Sequence, residues 1–339
     1  MSFNNLGLSS ALLKSVLEKG YTKPSEIQKE AIPEILQGKD ILAGAQTGTG
    51  KTAAFALPLL HKLQNAESKR RRIRVLVLVP TRELASQVGE SFREYGSNLR
   101  FKTSTLYGGV SINTQIDKLK KGVDIVVATP GRLLDHLNQK TLNLSELETF
   151  VLDEADRMLD MGFIRDIKKI LKYLPGEKQN LLFSATFPKE ITSLADSLLN
   201  SPKRIQVRSS NSTADKVEQV VYPVDKSRKR ELLAHCIKEE RWFQVLVFSR
   251  TKHGANKLAQ QLKKEGINAD AFHGNKSQSQ RTRALQDFKD AKTQVLVATD
   301  IAARGIDIHL LPQVVNFDLP YVPEDYTVSY THLTLPTKA

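Results

Sequence analysis

Residues 43–55 read AGAQTGTGKTAAF, and their types suit the binding of a phosphate group. Gly48 and Gly50 let the backbone turn its N–H groups inward, because neither residue carries a Cβ atom. Lys51 could reach the β- and γ-phosphates of a nucleotide, and the Thr52 hydroxyl could bind Mg²⁺. The stretch therefore predicts a nucleotide-binding loop, although glycine-rich turns also occur without a ligand.

The neighbours of this loop support the prediction. The apolar run 41–43 predicts the end of a strand, and 52–60 predicts an apolar helix whose N-terminus would add partial positive charge. Ala45 stands where the strict G-x-x-x-x-G-K-[ST] pattern has glycine. The predicted nucleotide-binding residues of the loop are Ala45, Gln46, Thr47, Gly48, Thr49, Gly50, Lys51 and Thr52.

A second group that could do chemistry is the acidic stretch 153–156, which follows the apolar run TFVL. A carboxylate at the carboxyl end of a parallel strand lies where ligands bind in open α/β sheets. Asp153 would bind Mg²⁺, and Glu154 would orient and activate an attacking water. Acidic residues are also common at the start of helices, where they interact favourably with the helix dipole. The catalytic interpretation of this stretch therefore depends on its occurrence together with Lys51 and Thr52.

Short apolar runs bounded by turn residues would position both groups. The predicted strands are ILAGA at 41, VLVLVP at 75, IVVATP at 125, FVLDEA at 150 and NLLFSAT at 180, then VEQVVYPV at 217, QVLVFSR at 244, NADAFHG at 268, QVLVATD at 294 and QVVNFDL at 313. Their alternation with helical segments predicts an α/β fold of two parallel sheets with helices on both faces. The polar stretch 206–216 predicts a linker between a domain over 1–205 and a domain over 217–326.

Composition narrows the class of protein. The 339 residues are 40% hydrophobic and carry a formal net charge of +13, which favours a polyanionic partner such as nucleic acid. The lone cysteine, Cys236, excludes an internal disulfide framework and fits a reducing compartment. We expect no signal peptide and no membrane span, because no apolar stretch approaches the required length. These features predict a cytoplasmic protein.

The motifs AQTGTGKT, PTREL, TPGR, DEAD, SAT and ATDIAARGID occur in one order along the chain. In order and spacing they resemble the DEAD-box RNA helicases, and the RhlE-type bacterial branch in particular, from residue 3 to about 326. Ala45 is the form of the loop that this family uses. The resemblance implies two tandem RecA-like domains, ATP with Mg²⁺, and RNA as the partner.

The resemblance also implies adenine and ribose contacts. Tyr21 would stack on the adenine, and the Gln28 amide would hydrogen-bond its edge, as side-chain amides do. Phe3 matches an upstream aromatic residue of the same motif. Asp307 would contact the ribose from the second domain.

Further residues would bind RNA through its sugar-phosphate backbone, which gives affinity with little sequence preference. These residues are Pro80, Thr81, Arg82, Gly108, Gly109, Thr129, Pro130, Gly131, Arg132, Arg250, Gln278, Arg281, Thr299 and Asp300. Ser184 and Thr186 would couple the nucleotide state to strand separation. His273 is interpreted as structural, and KRRRIR at 69–74 as a solvated loop with an auxiliary RNA contact as the alternative.

The end of the chain departs from the family. After PEDY at 323–326 the family has His-Arg-x-Gly-Arg-x-x-Arg, but this sequence reads TVSYTHLTLPTKA and contains no arginine over 327–339. We therefore expect 327–339 to be a non-family tail on an incomplete second domain of marginal stability. Because an arginine finger typically contributes about 10³ to 10⁵ in rate, we expect ATP binding with little RNA-stimulated hydrolysis.

The sequence predicts an ATP-dependent RNA helicase, acting as a monomer, that unwinds short duplexes locally. Two alternatives stay open: a DNA translocase with the same nucleotide chemistry, and an RNA-binding module that uses ATP as a structural ligand. The resemblance associates such proteins with ribosome assembly or RNA degradation without choosing between them.

Overall fold

The computed structural model describes residues 2–45, 48–64, 71–207, 218–299, 302, 308 and 311–319. The chain divides into two compact units, Met1–Ser209 and Ser210–Ala339. Of the predicted linker over 206–216, Gln206 belongs to a strand, and 208–216 lie outside the described residues. The domain limits drawn from the sequence stay a prediction.

The first unit is built on a seven-stranded parallel sheet in the order β3-β4-β2-β5-β6-β1-β7. Its strands are β1 (Ile41–Gly44), β2 (Val75–Leu78), β3 (Thr103–Leu106), β4 (Ile125–Ala128), β5 (Thr149–Leu152), β6 (Gln179–Ser184) and β7 (Lys203–Gln206). All five strands predicted for this half are confirmed. The two additional strands, β3 and β7, lie at the edges of the sheet, where partial exposure weakens the apolar signal.

Helices connect and cover these strands. They are a 3₁₀ turn (Phe3–Leu6), α1 (Ser10–Glu18), α2 (Glu26–Leu36), α3 (Lys51–Gln64), α4 (Arg82–Tyr95), α5 (Ile112–Lys120), α6 (Pro130–Asn138), α7 (Ala155–Asp160), α8 (Ile164–Leu171) and α9 (Lys189–Leu198). In the described part of the chain, no helix has the length and apolar character needed to cross a membrane.

Alternation along each strand divides the first core between the two faces of the sheet. On β2, Val75 and Val77 join one buried cluster, whereas Leu76 and Leu78 join the other. The first cluster is anchored by Phe55 on α3, whose ring centroid lies 5.4 Å from that of Phe183 on β6 and 6.2 Å from that of Phe92 on α4. The helix after the phosphate loop is therefore fixed by aromatic packing.

The second unit contains a four-stranded parallel sheet in the order β11-β8-β10-β9. Its strands are β8 (Val245–Phe248), β9 (Ala269–Phe272), β10 (Val295–Ala298) and β11 (Gln313–Asn316), and its helices are α10 (Lys229–Glu239), α11 (Lys252–Lys264) and α12 (Gln278–Lys289). These four predicted strands are confirmed, and with them the α/β class with parallel sheets.

The strand predicted for VEQVVYPV is wrong over its described residues, 218–224. They belong to neither sheet, and Val221 and Tyr222 are 89% and 46% exposed. An apolar alternation becomes a strand only when a neighbouring strand accepts and donates its ladder hydrogen bonds, and no described strand pairs with this segment.

Candidate functional site

The phosphate loop begins where β1 ends. Ala45 is buried, and its N–H donates to the Ser184 carbonyl at the end of β6 over 3.1 Å. Gly48 and Gly50 have φ values of 81° and 88°, in the left-handed region that favours glycine. Lys51 is the first residue of α3 and is 6% exposed. The loop thus turns sharply and places an ammonium at a helix N-terminus.

Gln28 connects the N-terminal segment to this loop. Its Nε2 donates to the Gly50 carbonyl over 3.1 Å, and its Oε1 accepts from the Ser25 N–H over 3.0 Å. The φ angle of Gly50 favours glycine, and a Cβ at position 50 would displace the Gln28 amide from its hydrogen bond. The Gln28 amide therefore helps to shape the phosphate loop, besides its predicted role toward adenine.

The two aromatic residues predicted to contact adenine lie in different surroundings. Tyr21 is 43% exposed, which leaves its ring accessible for stacking. Phe3 is 4% exposed and belongs to the first core cluster, where it packs with neighbours of α2. The adenine contacts of Tyr21 and Phe3 stay predictions. In this structure Phe3 is a core residue.

The acidic pair lies at the end of β5, beside β2. Asp153 is 2% exposed, and burial raises the pKa of its carboxyl to about 6, while the Lys51 charge opposes the rise. Glu154 is 7% exposed, has φ 55°, and is the N-cap residue of α7. A left-handed backbone at a residue other than glycine costs free energy and recurs at active sites. No hydrogen-bond partner reaches Glu154 Oε2 among the described residues.

Asp156, for which the sequence pattern predicts no role, joins two motifs. Its Oδ2 accepts from the N–H of Thr186 over 2.8 Å and from the Thr186 hydroxyl over 2.9 Å. Its own N–H donates to Ser184 Oγ over 3.1 Å, and that hydroxyl donates to the Thr186 carbonyl over 2.7 Å. Ser184 and Thr186, the predicted coupling residues, are thereby connected directly to the acidic stretch. The signal in the sequence was a second Asp three residues after Asp153.

These residues fit a magnesium nucleotide. Among the described residues, no cluster of three or more His, Cys, Asp or Glu side chains could hold a metal ion alone. Mg²⁺ typically takes one or two protein ligands and completes its shell with phosphate oxygens and water. Asp153 and the half-buried Thr52 hydroxyl suit that requirement, and the unpartnered Glu154 Oε2 is available to a ligand.

Arg82 lies against the two glycines predicted to contact RNA in the first unit. A Cβ at Gly109 would overlap the Arg82 guanidinium, and one at Gly108 would lie 3.6 Å from Arg82 Nη2. The Thr81 hydroxyl accepts from the Leu84 N–H over 3.2 Å, so it caps α4. The preceding Pro80 is buried at the end of β2. The structure thus brings two predicted motifs together.

The TPGR motif forms the start of α6. Thr129 is the N-cap residue and Pro130 occupies the first turn, where its missing N–H has no cost. Gly131 is exposed, with open space where a Cβ would be. Arg132 donates from both Nη atoms to the Val110 carbonyl over 3.1 Å. These hydrogen bonds hold the Arg132 side chain against the residue that follows Gly108 and Gly109.

In the second unit the predicted RNA-binding residues follow the carboxyl ends of the strands. Arg250 follows β8, and Thr299 follows β10. Gln278 and Arg281 share one face in the first turn of α12, with the Arg281 guanidinium 5.0 Å from the centre of the Phe272 ring. Parallel pairing brings these positions to one edge of the second sheet.

The structure also shows the surroundings of the basic run 69–74 and of His273. Over the described part of KRRRIR, Arg71, Arg72 and Arg74 pair with Asp124, Glu146 and Glu148, and Arg74 is 3% exposed. His273 is 1% exposed, and its Nδ1 accepts from the Asn275 N–H over 3.3 Å. Gln46, Thr47, Asp300, Asp307 and the tail 327–339 lie outside the described residues.

This chain is similar to known proteins of the DEAD/DEAH box helicase family. The DEAD/DEAH box helicase family matches residues 25–194, and the helicase conserved C-terminal domain matches residues 228–330. Two similar relatives are the DEAD-box ATP-dependent RNA helicases CshA of Bacillus cereus and RhpA of Helicobacter pylori, 45% and 44% identical over 325 residues. Each alignment covers 96% of this chain but only 61% and 65% of the relative.

Solved structures agree with the sequence relatives. Saccharomyces cerevisiae Dbp5 bound to RNA and ADP BeF₃ has a TM-score of 0.87 at 31% identity, covering 98% of this chain and 86% of that one. A DEAD box protein from Methanococcus jannaschii has a TM-score of 0.60 at 41% identity, covering 100% of this chain and 91% of that one. The expectation of two RecA-like domains is confirmed. With its buried Lys51, Asp153 and Glu154 at the carboxyl edge of the first sheet, the chain belongs to the DEAD-box helicase family.

Proposed function

We propose that this protein is an ATP-dependent RNA helicase that binds RNA through its backbone and locally unwinds short duplexes. The observation that carries the proposal is the buried set of Lys51, Asp153 and Glu154, in which Glu154 Oε2 has no partner among the described residues. Such a carboxylate is available to receive a proton from a bound water.

The residues of the first unit have distinct roles in hydrolysis. Lys51 binds the β- and γ-phosphates as a point charge. Mg²⁺, held by Asp153 and Thr52, would neutralise charge on the phosphate oxygens. Glu154 orients the attacking water and takes its proton as the oxygen bonds to the γ-phosphorus and the bond to ADP breaks.

Charge supports nucleic acid as the partner. The formal net charge of +13 favours a polyanion, and the exposed Arg250 lies at the strand edge of the second unit. Relatives are named as RNA helicases, and Dbp5 is described as bound to RNA. We extend that substrate to this chain, and place the protein in the cytoplasm as a monomer. The RhlE-type branch and a role in ribosome assembly or RNA degradation stay predictions.

Glu154→Gln tests the proposal. The amide keeps the shape of the site but cannot take a proton, so we expect binding of ATP and of a single-stranded RNA to persist while phosphate release stops. The exposed Glu190→Gln is the matched control in the same unit. Each variant is assayed with RNA and with DNA of the same sequence.

Loss of ATP binding together with hydrolysis would show Glu154 to be structural and would contradict its assigned role. Equal stimulation by DNA and RNA would favour the DNA translocase. Little phosphate release from the parent chain is already expected from the missing arginines over 327–339. The module that uses ATP as a structural ligand would be favoured only if phosphate release stayed absent after the family's His-Arg-x-Gly-Arg-x-x-Arg stretch replaced residues 327–334.

A further inference from the structure

A buried network of hydrogen bonds lies behind the loop that contains Gly108 and Gly109 in the first unit. His136 on α6 is fully buried, with Nε2 3.0 Å from Gln115 Oε1 and Nδ1 2.7 Å from Thr141 Oγ1. Gln115 on α5 is 4% exposed. We call Tyr107, Val110, Gln115, Arg132, His136 and Thr141 the brace.

The hydrogen bonds of the brace determine which atoms donate. Gln115 Nε2 donates to the Tyr107 carbonyl over 3.0 Å, which orients the amide so that Oε1 faces His136. An amide oxygen only accepts, so His136 carries its proton on Nε2. The Thr141 hydroxyl lies within donating distance of both Nδ1, at 2.7 Å, and the His136 carbonyl, at 3.1 Å, and in a neutral ring Nδ1 can only accept. Burial lowers the pKa of His136, which keeps the ring neutral and this pattern intact.

The same Gln115 oxygen reaches the TPGR motif. Arg132 Nη1 donates to Gln115 Oε1 over 3.2 Å, while both of its Nη atoms donate to the Val110 carbonyl. The brace therefore contacts the loop at Tyr107 and at Val110, on both sides of Gly108 and Gly109. The Arg82 guanidinium lies against this loop, where a Cβ at Gly109 would overlap it, so a shift of the loop would change the surface on which Arg82 packs.

We propose that Gln115 and His136 are positioning residues for RNA binding by the first unit. They act by holding the 108–109 loop, Arg82 and Arg132 in one arrangement before RNA arrives. This inference rests on the proposed function, because it assigns these groups to the RNA backbone. Without the Gln115 amide, the Tyr107 carbonyl would lose its donor and the fully buried His136 Nε2 its acceptor, while Arg132 Nη1 would keep the Val110 carbonyl. The unmet hydrogen bonds would weaken the hold of α5 and α6 on the loop.

The test compares Gln115→Leu with Gln115→Glu. We measure affinity for a fluorescent ten-nucleotide oligouridine in the presence of a non-hydrolysable ATP analogue, and affinity for a fluorescent ADP separately. Gln115→Leu should weaken RNA binding about 10-fold, the equivalent of about 1.4 kcal/mol, and leave ADP binding unchanged. Gln115→Glu keeps an oxygen acceptor for Arg132 and His136 but loses the N–H that donates to the Tyr107 carbonyl, so its affinity should lie between those of the parent and Gln115→Leu. Asn113→Leu, exposed on the same helix, is the control.

A double-mutant cycle separates positioning from general destabilisation. If Gln115 acts through Arg132, the variant carrying both Gln115→Leu and Arg132→Ala should bind RNA no more weakly than Arg132→Ala alone. Additive losses of RNA affinity in the double variant, or an equal loss of ADP binding in Gln115→Leu, would overturn the inference.

A different result would overturn the proposed function instead. If the parent fails to bind RNA, or if Arg132→Ala binds RNA as tightly as the parent, the assignment of these groups to RNA is wrong.

Discussion

The two units place different side chains at the same edge of a parallel sheet. In the first unit the strand ends carry Lys51, Asp153 and Glu154, all less than 9% exposed. In the second unit the strand ends lead to Arg250, which is exposed and donates to the Leu319 carbonyl, and to Arg281, which lies over Phe272. One edge is built around buried acids, and the other around cations.

The difference follows from what each group has to do. A carboxylate that takes a proton, or binds a metal beside phosphate, acts more strongly where water is excluded. Arginines that bind a phosphate backbone contribute charge, because releasing counterions supplies much of the affinity. Arg250 is exposed, whereas Arg281 is only 8% exposed, so the cationic edge holds one accessible and one buried arginine. In the proposed function both units bind RNA, and the first unit alone adds the buried acids that hydrolysis needs.

The largest expected effect would separate these two tasks. Lys51→Ala removes the charge on the β- and γ-phosphates, so ATP binding should weaken and whatever ATP hydrolysis the parent shows without the family's arginines should be abolished. RNA binding without nucleotide should retain the affinity and the salt dependence of the parent. The exposed Lys14→Ala is the control for loss of a lysine from this unit. If Lys51→Ala bound MgATP like the parent, the phosphate loop would be wrongly assigned.

A smaller effect would test whether the two cores support different activities. Phe55→Ala and Phe288→Ala each delete a fully buried ring, in the first and the second unit, and should cost about 3–5 kcal/mol of unfolding free energy. Only Phe55→Ala should weaken ATP binding, because α3 carries Lys51. The single tryptophan, Trp242, lies in the second unit, so its fluorescence should report the loss in Phe288→Ala alone. Equal shifts in both variants would contradict separate cores.

The smallest effect concerns acid, and its sign should differ between Asp153 in the first unit and His273 in the second. The folded pKa of His273 is lowered, chiefly by burial, so the folded protein takes up fewer protons and loses stability as pH falls below the ordinary value of 6.5. The folded pKa of Asp153 is raised from 3.8 to about 6, so its contribution becomes more favourable as pH falls through 6. Acidification therefore works in opposite directions at these two residues.

Two variants measure this difference in urea between pH 7 and pH 5, with EDTA present to remove metal. His273→Asn should reduce the unfolding free energy that the second unit loses between pH 7 and pH 5. Asp153→Asn should increase the unfolding free energy that the first unit loses over the same range. Pulse-labelled amide exchange at one labelling pH, read on peptides from β5 and β10, resolves the two units. A change of the same sign in both variants would contradict the assigned shifts.

Sequence alone determined the parts of this protein that depend on short stretches of chain. Apolar runs bounded by turn residues located five strands of the first sheet and four of the second, because burial on both faces demands continuous apolar residues. Gly48, Gly50 and Lys51 indicated a phosphate loop, because glycine tolerates the left-handed backbone and lysine supplies charge there. Each of these inferences needs only neighbouring residues.

Tertiary structure decided what depends on residues far apart in the chain. Asp156 with Thr186, and Gln115 with His136 and Arg132, meet only because strands and helices pack side by side. The raised pKa of Asp153 arises chiefly from burial, and Glu154 adopts a left-handed backbone at the start of α7; no local pattern reports either feature. The segment 218–224 has the alternation of a strand but joins neither sheet, since pairing requires a partner that its own residues cannot supply.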